Sequence, residues 1–132
     1  MTIINKEIRD FVTGKLAWVA TADENGRPNL APKGTTEVLD EETLVFADLF
    51  SLKTRVNLEK NSQVAVAVIE ASPPAGYQFK GQAELVKSGP IYDQVAQKLQ
   101  AAGLPSPTSV VKIKVTEVFS LSPGLDAGRR LA

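Results

Sequence analysis

Ala47-Asp48-Leu49-Phe50-Ser51-Leu52-Lys53-Thr54-Arg55-Val56-Asn57-Leu58 is the stretch around which the chain is organised. An apolar strand candidate, Thr43-Leu44-Val45-Phe46-Ala47, leads into it, and a second, Val64-Ala65-Val66-Ala67-Val68-Ile69, follows. Between them Ser51 suits a helix N-cap, and Leu52, Val56 and Leu58 give a short helix an apolar side. With Ser51 as the cap, the amides of Lys53 and Thr54 lie in the first turn, free of intrahelical partners. Free amides, a positive dipole end, a lysine and two hydroxyls are chemically suited to a phosphate. On these residues alone the plainer reading, a capped helix with a surface lysine, is favoured.

Upstream, Asn29 to Leu39 reads as a strand that Pro32 and Gly34 interrupt. Proline removes a ladder donor, so the strand is at an edge or bulged there. Asp23-Glu24-Asn25-Gly26-Arg27-Pro28 is a hairpin connection, its Asn-Gly tolerating positive φ. It is preceded by Leu16 to Ala22, a strand apolar almost throughout and so covered on both sides. Thr2 to Gly14 carries Ile4, Ile8, Phe11 and Val12 at helical spacing, with Gly14 as the stop. Downstream, Gln63 to Glu70 is a β-branched core strand, and Ala71 to Gly76 reads as a loop stiffened by prolines. Tyr77 to Lys87 follows as a strand in which Gly81 allows a bend or a close approach. Ser88-Gly89-Pro90 opens a helix with Pro90 near N1, and Gly103 ends it. Ser109 to Leu121 is the final strand, and the glycine-rich tail beyond it is expected to be frayed or ordered by a partner chain. The expectation is a mainly β, α+β fold: six mostly antiparallel strands in a small barrel with three flanking helices.

Composition narrows the chemistry. The 132 residues suit a single domain, 1–132, with a real core. Fifteen Lys and Arg balance fifteen Asp and Glu, so nothing favours capture of nucleic acid or of an anionic membrane. With neither Cys nor His, disulfides, thiolate chemistry, the usual zinc ligands and a Ser-His-Asp triad are excluded, and no metal site is expected. No run is long and apolar enough to span a bilayer, and no signal-peptide pattern opens the chain; a soluble, cytoplasmic protein is expected. Such a chain binds something, borrows a cofactor's chemistry, or does neither.

Five pieces in order carry a resemblance: Leu16-Ala17-Trp18-Val19-Ala20-Thr21, Asn25-Gly26-Arg27-Pro28-Asn29, Leu44-Val45-Phe46-Ala47-Asp48, Lys53-Thr54-Arg55-Val56-Asn57-Leu58 and Gly81-Gln82-Ala83-Glu84. At these spacings the chain, from Leu16 to Val86 and again over Val111 to Leu121, resembles the pyridoxamine 5′-phosphate oxidase-like FMN-binding split barrels. The resemblance implies a split-barrel homodimer holding FMN in clefts at the subunit interface. It puts the phosphate turn on Ser51, Lys53 and Thr54, and the flavin edge on Pro32, Lys33, Gly34 and Thr35 with Ala47, Asp48 and Leu49. Asn57 is expected to cap and brace the loop, and Gln78 to reach the flavin of the other subunit. Lys33 reads equally as a solvated lysine beside a bulge; Trp18 is expected to be a core aromatic and Arg55 a surface charge. Glu37 stands where the vitamin oxidases tend to have a base, and haem-degrading relatives rely on a histidine this chain lacks, so neither activity is expected. The expected function is that of an FMN-dependent oxidoreductase or electron carrier, with no side chain nominated as catalytic. The alternatives are a reductase using the deazaflavin F420, a flavin-binding protein without turnover, and a cofactor-free dimerisation module.

Overall fold

The computed structural model describes residues 3–132. Seven strands form one antiparallel sheet: β1 (Ala17–Ala22), β2 (Pro28–Lys33), β3 (Glu37–Asp40), β4 (Thr43–Asp48), β5 (Gln63–Ala71), β6 (Pro74–Val86) and β7 (Ser109–Ser120). Three helices join them: α1 (Lys6–Val12), α2 (Leu52–Lys60) and α3 (Pro90–Ala101). The fold is therefore mainly β with flanking helices, as the pattern indicates, but with seven strands instead of six. The extra one arises where Asn29 to Leu39 divides: pairing with β1 runs as far as Lys33, and the chain resumes pairing, now with β4, at Glu37.

That division shapes the sheet. In hydrogen-bonding order the strands run β2-β1-β5-β6-β7-β4-β3, so β2 and β3 are the two ends. Laid flat, they would stand about 29 Å apart at ~4.8 Å per strand. The four chain steps from Lys33 to Glu37 span at most about 14 Å. The sheet must therefore curl until its edges approach each other at Gly34–Thr36. Inside the curl lie Phe46, Phe79, Leu44, Ile113 and the valines Val19, Val66, Val68, Val111, Val115 and Val118, all essentially inaccessible. Truncating either phenylalanine to alanine would cost roughly 3–5 kcal/mol. Helix α1 adds Ile8 and Val12 to the same cluster, capped by Asn5, whose Oδ1 accepts from the Ile8 amide at 2.9 Å. Gly14, at φ +77°, turns the chain out of that helix; the expected start at Thr2 lies outside the described residues.

Gly81 is a close-approach position: a Cβ there would lie 2.0 Å from the Lys114 carbonyl oxygen, where the β6–β7 register shifts. Two expectations are corrected. Ala71 to Gly76 is no loop; β5 and β6 pair up to Ala71 opposite Pro74, leaving only Ser72-Pro73 to turn. The tail is held by its own chain. Beyond Lys114, β7 outruns β4, and the tail fills part of that vacated edge, with Leu131 donating to the Val118 carbonyl (2.7 Å) and Ser120 to that of Arg129 (2.9 Å). No helix among the described residues is long and apolar enough to cross a membrane.

Candidate functional site

Lys33 ends β2 opposite Ala17, on the core-facing side of the sheet, and is 9% exposed. Its Nζ donates to Ser51 Oγ at the start of α2, so the solvated-lysine reading is overturned. Ser51 consequently makes no side-chain cap bond; its hydroxyl holds the ammonium instead. The Ser51 amide donates to Asp48 Oδ1 at 3.2 Å, and the Arg55 amide closes the first turn on the Ser51 carbonyl at 2.8 Å. The amides of Leu52, Lys53 and Thr54 lie inside that turn, where the helix has no acceptors for them.

Asp48 is 1% exposed, and its other carboxylate oxygen accepts from Arg55 Nη1 at 3.4 Å. Arg55 is thus a half-buried brace for a buried carboxylate, not the surface charge expected from sequence. Burial lowers the Lys33 pKa from 10.5, and the charge of Asp48 partly opposes the shift. Ser109, opposite Asp48 in β7, has a fully buried hydroxyl without a hydrogen-bond partner among the described residues.

On the other side of α2 a cleft of about 430 Å³ opens toward the β1–β2 connection. Arg27, Pro28 and Asn29 form one wall, Leu52, Lys53 and Val56 the other. Arg27 and Lys53 are exposed, and neither has an ion-pair partner among the described residues. Asp23 also lines the cleft, its carboxyl held below the ordinary range by the backbone amide of Arg27, against a cost of desolvation, and further by the Asn25 amide and the Arg27 charge. Asn57 Nδ2 donates to Thr21 Oγ1 at 3.0 Å, tying α2 to β1, and the residue also lines the cleft. Thr54, 2% exposed, packs beneath the helix with Leu58 while Lys53 faces the cleft.

The two backbone segments expected at a flavin edge do come together. Thr35 Oγ1 accepts from the Ala47 amide at 2.9 Å, and Thr36 Oγ1 donates to the Lys33 carbonyl at 3.1 Å. Pro32 and Gly34 are exposed, Leu49 is half-buried, and Ala47 is buried. Gln78 stands apart, in a cross-strand row Pro32–Trp18–Ala67–Gln78–Phe119 on the outer face of the sheet. Trp18 is on that outer face too, 40% exposed, with Leu30 and Ile69 also projecting outward, so it is not a core aromatic. Arg27, which lines this cleft, is not among the residues the sequence reading nominated; the signal was a cation immediately before the strand that leads to Lys33.

Residues 4–122 match the pyridoxamine 5′-phosphate oxidase family, and the chain belongs to it. A relative in Methanocaldococcus jannaschii, itself uncharacterised, is 34% identical over 98% of this chain and 88% of its own length. HupZ of Group A Streptococcus, in its crystal structure, is 32% identical and superposes at a TM-score of 0.86, covering 95% of this chain and 99% of that one. An FMN-binding protein from Syntrophomonas wolfei shares the fold at 15% identity, with a TM-score of 0.77 over 93% of this chain and 87% of that one.

Proposed function

We propose that the chain binds FMN where the Gly34–Thr36 turn, the end of β4 and the start of α2 converge, and that it acts as an FMN-dependent oxidoreductase or electron carrier. The observation that carries this reading is the gathering of cations at a helix start. Arg27 and Lys53 line one cleft from separate elements, and the α2 dipole adds its positive end. Asp23 balances part of that charge, and the remainder favours an anion such as a phosphate. Lys53 and Arg27 supply charge from the cleft, while the first-turn amides donate. Ser51 holds Lys33 in place, and Pro32–Thr35 with Ala47–Leu49 line one edge of the cofactor. Amides along Gly34 and Thr35 are suited to holding negative charge at that edge. When bound, FMN supplies the redox chemistry, and the chain supplies position and electrostatics.

The outward Trp18, Leu30 and Ile69 suit an isologous interface between two copies. Gln78, on the same face, would then approach the cofactor held by the partner subunit. Purified protein is expected to be yellow, to scatter light as a dimer, and to release a chromophore with the mass of FMN. A colourless protein that takes up no FMN would overturn the reading.

A further inference from the structure

A second, smaller cleft of about 170 Å³ lies between α3 and the Gly34–Thr36 turn. Val95, Leu99, Ala102 and Leu104 give it apolar walls, and Thr35 gives it one polar group. At ~30 Å³ per water, the space equals five or six waters, about the size of one small ring. The Thr35 hydroxyl accepts from Ala47, but its own O–H has no acceptor among the described residues. Across the solvent side, Lys98 Nζ meets Glu37 Oε2 at 2.9 Å, both side chains about half exposed.

This charge arrangement selects. Without Glu37, the cleft would offer an ammonium to any anionic ring. With it, the charge at the mouth is already matched, and an anion must either displace the carboxylate or sit beside it. An uncharged ring pays no such penalty, and a carbonyl on it can take the idle Thr35 proton. We propose that this cleft is a subsite for a small uncharged ring carrying a hydrogen-bond acceptor, with Glu37 the residue that turns away its anionic counterpart. The placement beside Thr35 makes this the substrate side of the cofactor, a step that rests on the FMN reading above.

The test uses the full chain loaded with FMN, with benzamide and benzoate as probes. Binding is followed through the Thr35 and Leu104 amide resonances by NMR and, separately, through the flavin absorption bands. Benzamide is expected to shift both, with benzoate several-fold weaker. Glu37→Gln, an exposed change, should tighten benzoate about fivefold, the scale of one exposed ion pair, and leave benzamide within about twofold. Equal binding of the two probes by the parent, no gain for benzoate in Glu37→Gln, or unmoved resonances with either probe would each overturn the subsite. Shifts at Thr35 and Leu104 in protein that takes up no FMN would uphold the subsite and sink the flavin reading instead.

Discussion

The two sides of α2 handle charge in opposite ways. Toward the sheet, Lys33, Asp48 and Arg55 are buried or half-buried and satisfied by one another and by Ser51. Toward the β1–β2 connection, Arg27 and Lys53 are exposed and meet no carboxylate within ion-pair distance among the described residues. Buried charge persists only when paired, so the inner group fixes the shape of the turn. Exposed charge costs little to leave unpaired, so the outer group is available to a ligand. The same short helix thus separates a paired, structural set of cations from an exposed set that the FMN proposal assigns to binding.

The comparison breaks most severely at Asp48. Asp48→Ala removes the carboxylate that Arg55 pairs with and whose charge supports Lys33, and it frees the Ser51 amide. Breaking a buried pair costs ~3–5 kcal/mol, and because Arg55 is 29% exposed the expected loss is near the lower end, about 3 kcal/mol by urea denaturation. A loss under about 1 kcal/mol would show that the inner group is not structural. Asn57→Ala should cost less, about 1 kcal/mol, because it removes one hydrogen bond to the nearly buried Thr21. Its thermal melt should fall while FMN affinity changes little; the reverse pattern would move Asn57 into the binding set.

The smallest effect is titration of Lys33. Its pKa in the folded chain is below the ordinary 10.5, so between those two values the unfolded chain binds more protons. Stability of the cofactor-free protein should therefore rise with pH across that window and be lost again as pH falls through the folded value. FMN affinity should change little across the same window, since the phosphate is assigned to Arg27 and Lys53 and Lys33 belongs to the inner, structural group. Lys33→Met should flatten the stability trend, and melts at a series of alkaline pH values would reveal it persisting.

How much of this was legible in the sequence depends on where each residue's partner lies. Leu44 to Ala47 reads as a strand because both of its faces are covered, and Val64 to Val68 because small alanines on its outer face alternate with buried valines, so each leaves a nearly continuous apolar run. The break after Lys33 was legible from Pro32 and Gly34, since proline and glycine act on their own backbone. Ala71 to Gly76 misled because its prolines and glycine suggest a loop, whereas pairing with the neighbouring strand carries both segments almost to the turn. Trp18 was misplaced because Ala20 and Ala22 make both faces of β1 look apolar, hiding the alternation that puts it outside. Lys33 could not be assigned, because the Ser51 hydroxyl that makes its burial tolerable lies 18 residues away. The start of α2 was legible as a set of residue types suited to a phosphate, but their division between the two sides of the helix emerges only once it is laid against β1 and β2. The tail's attachment to β7 depends on β7 outrunning β4, a length mismatch no local pattern reports.

The most direct test of the binding set is FMN titration by fluorescence quenching into parent and Lys53→Ala protein, with a thermal melt of each. Charge-assisted bonds to a phosphate contribute about 1.5–3 kcal/mol each, so Lys53→Ala should weaken FMN roughly tenfold to a hundredfold. Its melting temperature should stay with the parent's, because the side chain is exposed and packs against little. Lys53→Ala protein that binds FMN as tightly as the parent would contradict the account and leave the start of α2 an ordinary helix end.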